Sequence, residues 1–212
     1  EKGRIAIQLE SRDKLGEGEY REREETMKSC LRIDEDFTAF YEALQDYPEL
    51  SWAPEIGAGP SLRSPTVYGD LVKTIATTNA SWSLTRGIVG RLCEKLGDVY
   101  AGAHTFPTPE ALNRVTQECL RAEVRSGYKS PYIVEATRKI VDGELDVESW
   151  RGNSLDSLSL RKEIKAVKGV GDYAADNILK LLGRYDFLAL DSWMRRRFSE
   201  LHGAGVPSQT RP

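Results

Sequence analysis

The sequence is poor in the residues that build metal and disulfide sites. Its 212 residues include three cysteines, Cys30, Cys93 and Cys119, widely spaced and without a CxxC pair. An odd, scattered set argues against a disulfide framework and suits a reducing compartment. It is also too small for a four-cysteine zinc or iron–sulfur centre built from this chain alone. The two histidines, His104 and His202, have too few partners for a conventional zinc site, and no transition metal is expected. No run approaches the roughly 18 consecutive apolar residues of a membrane span, and no signal-like apolar stretch opens the chain. Residue 1 is Glu rather than Met, so a native start further upstream is expected. With 40% hydrophobic and 30% charged residues, the chain has the composition of a globular protein with a sizeable core.

Excess charge of either sign is absent overall, the formal net charge being −3. Its distribution is uneven. Residues 1–60 carry 8 Lys/Arg against 15 Asp/Glu, residues 61–150 carry 11 of each, and residues 151–212 carry 11 against 7. The last third is therefore basic, either as solvated helix faces or as a surface that meets a polyanion.

Residues 4–10 (RIAIQLE) alternate apolar and polar, which predicts a strand. Residues 16–25 (GEGEYREREE) read as a turn into another exposed strand or as a solvated loop. From Ile33 the pattern turns helical, with Asp34 as a candidate N-cap and Phe37, Phe40, Tyr41 and Leu44 on one stripe. Residues 51–65 read as a connector. Two longer helices follow, one carrying Val67, Leu71, Val72 and Ile75, the other Leu84, Ile88, Val89, Leu92 and Leu96, with a polar patch at 77–81 that caps between them. Shorter helices fit 109–115, 117–124, 132–141, 147–150 and 158–166. The expected fold is mostly α and two-lobed. Its segments are an N-terminal β segment at 1–32, a helical domain at 33–202 with a helix–hairpin–helix at 158–182, and a tail at 203–212.

The most informative stretch is 158–198, LSLRKEIKAVKGVGDYAADNILKLLGRYDFLALDSWMRRRF. One amphipathic helix closes with Ile164 and Val167. Lys168-Gly169-Val170-Gly171-Asp172 follows, then a helix with Ala174, Ala175, Ile178, Leu179 and Leu182 at core spacing. Two glycines around one apolar residue allow a tight turn and a close approach to another surface. The turn opens a helix, so its free N–H groups and positive dipole end suit a phosphate. A plain αα-hairpin is the structural alternative. Asp191 follows an apolar run, 187–190, and can cap the helix that begins at Ser192.

This stretch resembles the helix–hairpin–helix plus Gly/Pro-rich loop and aspartate motif of the DNA glycosylase superfamily, which includes endonuclease III, 8-oxoguanine DNA glycosylase and 3-methyladenine DNA glycosylase II. The likeness extends to residues 31–97, through LRIDEDFTAFY and TTNASWSLTRGIVGRL. The resemblance implies a helical glycosylase fold and base excision from damaged double-stranded DNA, with Asp191 as the catalytic aspartate. It implies that Gly169, Val170, Gly171 and Lys168 hold a DNA phosphate. No cofactor is required, but a Na+, K+ or Mg2+ ion is allowed on the carbonyls of Lys165, Val167 and Val170. Asn79 matches the residue that enters the gap left by a flipped base, although helix capping explains it equally well. Tyr128 matches a wedge, although a tyrosine lying on the core fits too. Lys129 stands where 8-oxoguanine enzymes have an arginine, and Leu84 replaces another.

Tyr173 occupies the position of the lysine that gives bifunctional members their lyase step. A phenol cannot form a Schiff base, so a monofunctional enzyme acting on alkylated purines is expected. The alternatives are a bifunctional 8-oxoguanine glycosylase/lyase and a non-catalytic DNA-binding module. Tyr173 and Trp193 are base-pocket candidates; Trp82, Trp150 and Trp193 can line a base pocket, although most tryptophans at helical spacing are core, and Arg195, Arg196 and Arg197 are phosphate contacts or a solvated face. The missing cysteine cluster sets the chain apart from the iron–sulfur branch. Relatives carry a multi-stranded sheet before the helical part and further helices after the aspartate, so a truncated or shortened member is expected. An intracellular monomer, in cytoplasm, nucleoid or nucleus, completes the reading.

Overall fold

Helix formation begins where the hydrophobic pattern is weakest. The computed structural model describes residues 6–11 and 13–203, and among them the first element is helix α1, Glu17–Leu31, with no buried residue. The acidic run read as a strand or loop is thus helical. Straight-chain Glu and Arg favour a helix without apolar periodicity. Glu19 reaches back to accept from the Gly16 amide at 2.9 Å, and Lys28 pairs with Glu24 one turn away at 2.8 Å. The expected strand at 4–10 begins on residues outside those described, and its described part, 6–10, pairs with nothing and carries no strand.

Arg32, with φ 57, ends α1 in the left-handed region. Helix α2, Thr38–Ala43, therefore starts later than the sequence pattern suggests. Asp34 does not cap it: Phe37 is the N-cap, without a side-chain bond, and Asp36, one residue before, accepts from the Thr38 amide at 2.9 Å. Phe37, Phe40 and Tyr41 cluster with ring centroids 5.5–6.3 Å apart. A short helix α3, Trp52–Ile56, lies within the segment read as a connector. The chain divides into two units that meet in sequence at Pro65–Thr66, within the proline-bearing connector rather than after residue 32.

Among the described residues, the second unit is helical apart from one small hairpin. Helix α4, Val67–Thr77, starts on Thr66, whose hydroxyl accepts from Gly69 N. The Glu148 carboxylate also receives the Val67 and Tyr68 amides, each at 2.9 Å, which satisfies two more orphan donors. Helix α5, Trp82–Leu96, is capped by Ser81. Strands β1, Val99–Tyr100, and β2, Ala103–His104, pair antiparallel. Their turn residues Ala101 and Gly102 both have positive φ, 47° and 80°, as a two-residue I′ turn requires.

Helices α6 (Pro109–Asn113), α7 (Gln117–Cys119), α8 (Ser130–Val141), α9 (Ser157–Lys165), α10 (Asp172–Leu181) and α11 (Ser192–His202) follow. A π-helical turn at Leu120–Val124 extends α7. The core joins Leu71 and Ile75 of α4, Leu112 of α6, Ile133 of α8, Leu160 and Ile164 of α9, and Ile178 and Leu179 of α10, all essentially inaccessible. No helix among the described residues is long and apolar enough to cross a membrane.

Candidate nucleic-acid interface

The α9–α10 turn is built for close approach. Val170 N donates to Val167 O at 3.0 Å, and Gly169 sits at φ +87. A Cβ on Gly169 would lie 2.6 Å from the Tyr132 ring, whereas one on Gly171 would meet open space. The two glycines therefore have different tasks. Gly169 lets the turn pack on α8, and Gly171 keeps the head of α10 uncovered. Gly171 is the N-cap and supplies no side-chain acceptor, so the first amides of α10 face outward with the positive end of the helix. Gly169→Ala is expected to lower Tm by about 5–10 °C through positive-φ strain and crowding against Tyr132, together about 2–4 kcal/mol. A thermal melt by circular dichroism measures it.

An acid at this helix head would oppose a phosphate, but Asp172 is neutralised. Lys165 Nζ lies 2.6 Å and Arg161 Nη2 3.0 Å from its Oδ1, and these contacts, Lys165 first, hold the carboxyl below its usual range. Lys168 is exposed and pairs with Glu135 at 3.0 Å, an exposed ion pair that a phosphate can replace at little cost.

Facing the turn is the end of α4. Asn79 is exposed and left-handed, φ 48. Ser81, not Asn79, caps α5 by accepting from Leu84 N, so capping does not account for Asn79. Tyr128 is 52% exposed. Its hydroxyl donates to Thr78 O at 3.1 Å, and its ring meets Tyr132 edge-on with centroids 6.3 Å apart. It lies over the end of α4 rather than in the core.

Lys129, which stands where 8-oxoguanine enzymes have an arginine, lies inside the fold. It is 2% accessible, and its Nζ donates to Ala76 O at 2.8 Å. Burial holds its ammonium pKa below the ordinary value. The negative dipole end of α4, through the Ala76 carbonyl in its last turn, holds the cation. These segments enclose a cleft of about 370 Å3 lined by Ile75, Thr78, Asn79, Tyr128, Lys129, Tyr132 and residues 169–171. Three separately read features, Asn79, Tyr128 and the hairpin, thus share one concavity. Tyr132 is the residue the sequence reading missed, and its spacing of four from Tyr128 on a helix was the available signal.

Asp191 is the N-cap of α11, with Oδ1 accepting from Met194 N at 2.7 Å. Capping is real and uses one of its two oxygens in a partly exposed setting. Tyr173, on the hairpin's second helix, is close enough to sense the carboxylate. Burial first, and then the negative charge of Asp191, push its phenol above the ordinary value, so it stays a neutral O–H group. Trp193 is 60% exposed on the first turn of α11, beside Asp191 and outside the cleft lining. Trp82 is exposed as well. Trp150 is fully buried and donates to Glu163 at 3.0 Å, which makes it a core residue and not a pocket wall. Arg197 pairs with Glu200 at 3.2 Å, and Arg195 and Arg196 follow on the same helix.

A family model described as "HhH-GPD superfamily base excision DNA repair protein" matches residues 72–211. The chain is 25% identical over 170 residues to the Bacillus subtilis protein named "Putative DNA-3-methyladenine glycosylase YfjP", covering 78% of this chain and 58% of that protein. The chain therefore spans little more than half of that relative. The fold is also that of the Clostridium acetobutylicum 8-oxoguanine glycosylase/lyase in its apo form, with a TM-score of 0.76 and 23% identity over 90% of this chain and 67% of the other. The 3-methyladenine DNA glycosylase from Archaeoglobus fulgidus gives a TM-score of 0.73 and 21% identity over 92% and 68%.

Proposed function

Because this chain belongs to the HhH-GPD superfamily of base excision DNA repair proteins, we propose that it is a monofunctional DNA glycosylase acting on alkylated purines in duplex DNA. The observation that carries this reading is the place of Asp191. Its carboxylate stands at the head of α11, electrostatically coupled to Tyr173 on the helix that the hairpin opens.

The open amides of α10 receive a backbone phosphate, and Asn79 and Tyr128 approach the duplex from the opposite wall of the cleft. Tyr128 replaces the stacking of a nucleotide turned out of the helix. As the N-glycosidic bond breaks, its electron pair leaves with the base and the sugar becomes oxocarbenium-like. The free oxygen of Asp191 faces that charge and orients a water. The water oxygen bonds to C1′, its proton passes to the carboxylate or solvent, and the products are free base and an intact abasic strand.

The carbonyls of Lys165, Val167 and Val170 would hold a bridging cation. Val167 O already accepts one hydrogen bond and keeps a second lone pair, while the nearby Asp172 carboxylate is engaged by Lys165 and Arg161. A site of carbonyls without a carboxylate suits Na+ or K+ better than Mg2+. When bound, such an ion supplies a positive charge to the phosphate.

The test is a panel of duplexes, each with one lesion, assayed for abasic sites with and without alkali. Strands that break only after alkali are expected. Tyr173→Lys places an amine at the half-buried position that senses Asp191, where burial lowers its pKa and the carboxylate's charge raises it. This variant is expected to give borohydride-trapped protein–DNA adducts that the unmodified chain does not. Efficient trapping by the unmodified chain would overturn the monofunctional reading.

A further inference from the structure

Residues 184–190, which deliver Asp191, hang from α9 and its approach rather than from α10 alone. Arg184 Nη1 donates to Leu155 O at 2.6 Å, and its Nη2 donates to Asn153 O. Ser157 Oγ donates to Asp186. The guanidinium carbon of Arg161 lies over the Phe187 ring, 4.9 Å from its centroid.

Only the last of these contacts also reaches the hairpin's second helix. Arg161 Nε donates to Asp176 Oδ1, and Nη2 donates to Asp176 Oδ2 at 3.1 Å and to Asp172 Oδ1 at 3.0 Å. Asp176 is 2% accessible and lies one turn beyond Tyr173. A guanidinium can do this because its edge carries forked donors while its face stacks on an aromatic ring.

We infer that Arg161 is a positioning residue: one side chain, forked onto Asp176 and Asp172 and lying over the Phe187 ring, sets the register between the phosphate-binding hairpin and the segment that carries Asp191. What Asp191 then does rests on the glycosylase reading above, whereas the register is a property of the fold. A lysine in this place keeps the charge that Asp176 requires but has neither fork nor flat face. A leucine at Phe187 keeps apolar bulk and removes the ring. The duplex-binding surface itself contains neither Arg161 nor Phe187.

The experiment compares R161K, F187L and the double variant with the unmodified chain in two measurements. Hydrogen exchange reads the Met194 amide, whose protection depends on the Asp191 cap. Single-turnover base release is read beside the dissociation constant for undamaged duplex. Met194 exchange is expected to accelerate in R161K and F187L while the Ile178 and Leu179 amides stay protected. Base release is expected to fall about 10- to 100-fold in both single variants, the scale of a 1 Å misplacement, with duplex affinity unchanged in F187L and lowered less than base release in R161K, because Arg161 also helps neutralise Asp172 at the phosphate-facing end of α10. The double variant is expected to lose little more than R161K, because both changes break one linkage.

Unchanged Met194 exchange in both single variants would overturn the positioning role, as would equal losses of affinity and rate. Loss of Ile178 and Leu179 protection along with Met194 would mean general loosening and would also overturn it. If the unmodified chain releases no base from any lesion, the glycosylase reading fails, and Met194 exchange still decides the role of Arg161.

Discussion

Asp191→Asn is expected to lower single-turnover base release at least about 100-fold, the scale for loss of one preorganised electrostatic contact to a transition state, while duplex affinity holds or rises. The geometry makes this a clean substitution. Asn keeps an oxygen that can accept from Met194 N, so the α11 cap survives and Tm stays near that of the unmodified chain. Asp191→Ala removes both functions and is expected to cost about 1 kcal/mol as well, or about 2–4 °C in a chain of this size. The pair separates the two roles. If Asn supports full turnover, Asp191 only caps. Release is measured by alkaline strand scission on the lesion that the panel identifies, and stability by thermal melting.

Gly171→Asp is expected to move stability and binding in opposite directions. A side chain at Gly171 meets nothing, and the backbone there, φ −92, strains no residue type. Asp is also among the best N-caps, worth about 0.5–2 kcal/mol over a non-capping residue and only a few tenths over Gly, so Tm should hold or rise slightly. The same carboxylate would fill the anion site at the head of α10. Lys165 and Arg161 are already engaged by Asp172 and cannot neutralise a second acid. Duplex affinity should fall about tenfold or more for every sequence alike, with the salt slope reduced by about 1 for the lost phosphate. Fluorescence anisotropy at two ionic strengths measures both quantities. Unchanged affinity would leave the hairpin a purely structural turn. A falling Tm would mean that Gly171 is constrained by packing the geometry does not show.

The parts of the fold legible in the sequence are those where burial imposes a period. Leu71, Val72 and Ile75 bury one face of α4, and Ile178 and Leu179 do so in α10, so both helices could be read. Helix α1 buries nothing, and its acidic run gave a strand or a loop equal claim. The β1–β2 turn uses Ala101-Gly102 in place of the Asn-Gly that marks an I′ turn, so it passed unnoticed. At the site, Gly-Val-Gly and Asp191 were readable because local spacing defines them.

Lys129 was not readable in this way. Sitting after Ser-Gly-Tyr, it has the context of an exposed loop, and only a carbonyl 53 residues away draws it inside. The Arg161–Asp176 pair is likewise invisible to helical spacing, since it joins two helices across the turn. Chemistry that depends on a partner distant in sequence leaves no periodic trace.

The paired tethers from Tyr128 and Lys129 to the end of α4 behave as a latch and an anchor. Adjacent residues hold carbonyls of Thr78 and Ala76, but the two bonds differ greatly in how readily they let go. Water can replace the half-exposed phenol on Thr78, a net loss of about 0.5–1.5 kcal/mol. Releasing the buried ammonium would strand a charge away from solvent, at several kcal/mol. Tyr128 can therefore swing away from α4 many times in succession while Lys129 keeps the Asn79 loop in place. Under the proposed function, in which Tyr128 takes the place of a flipped nucleotide, that side chain is thereby mounted on a hinge whose fixed leaf does not move with it.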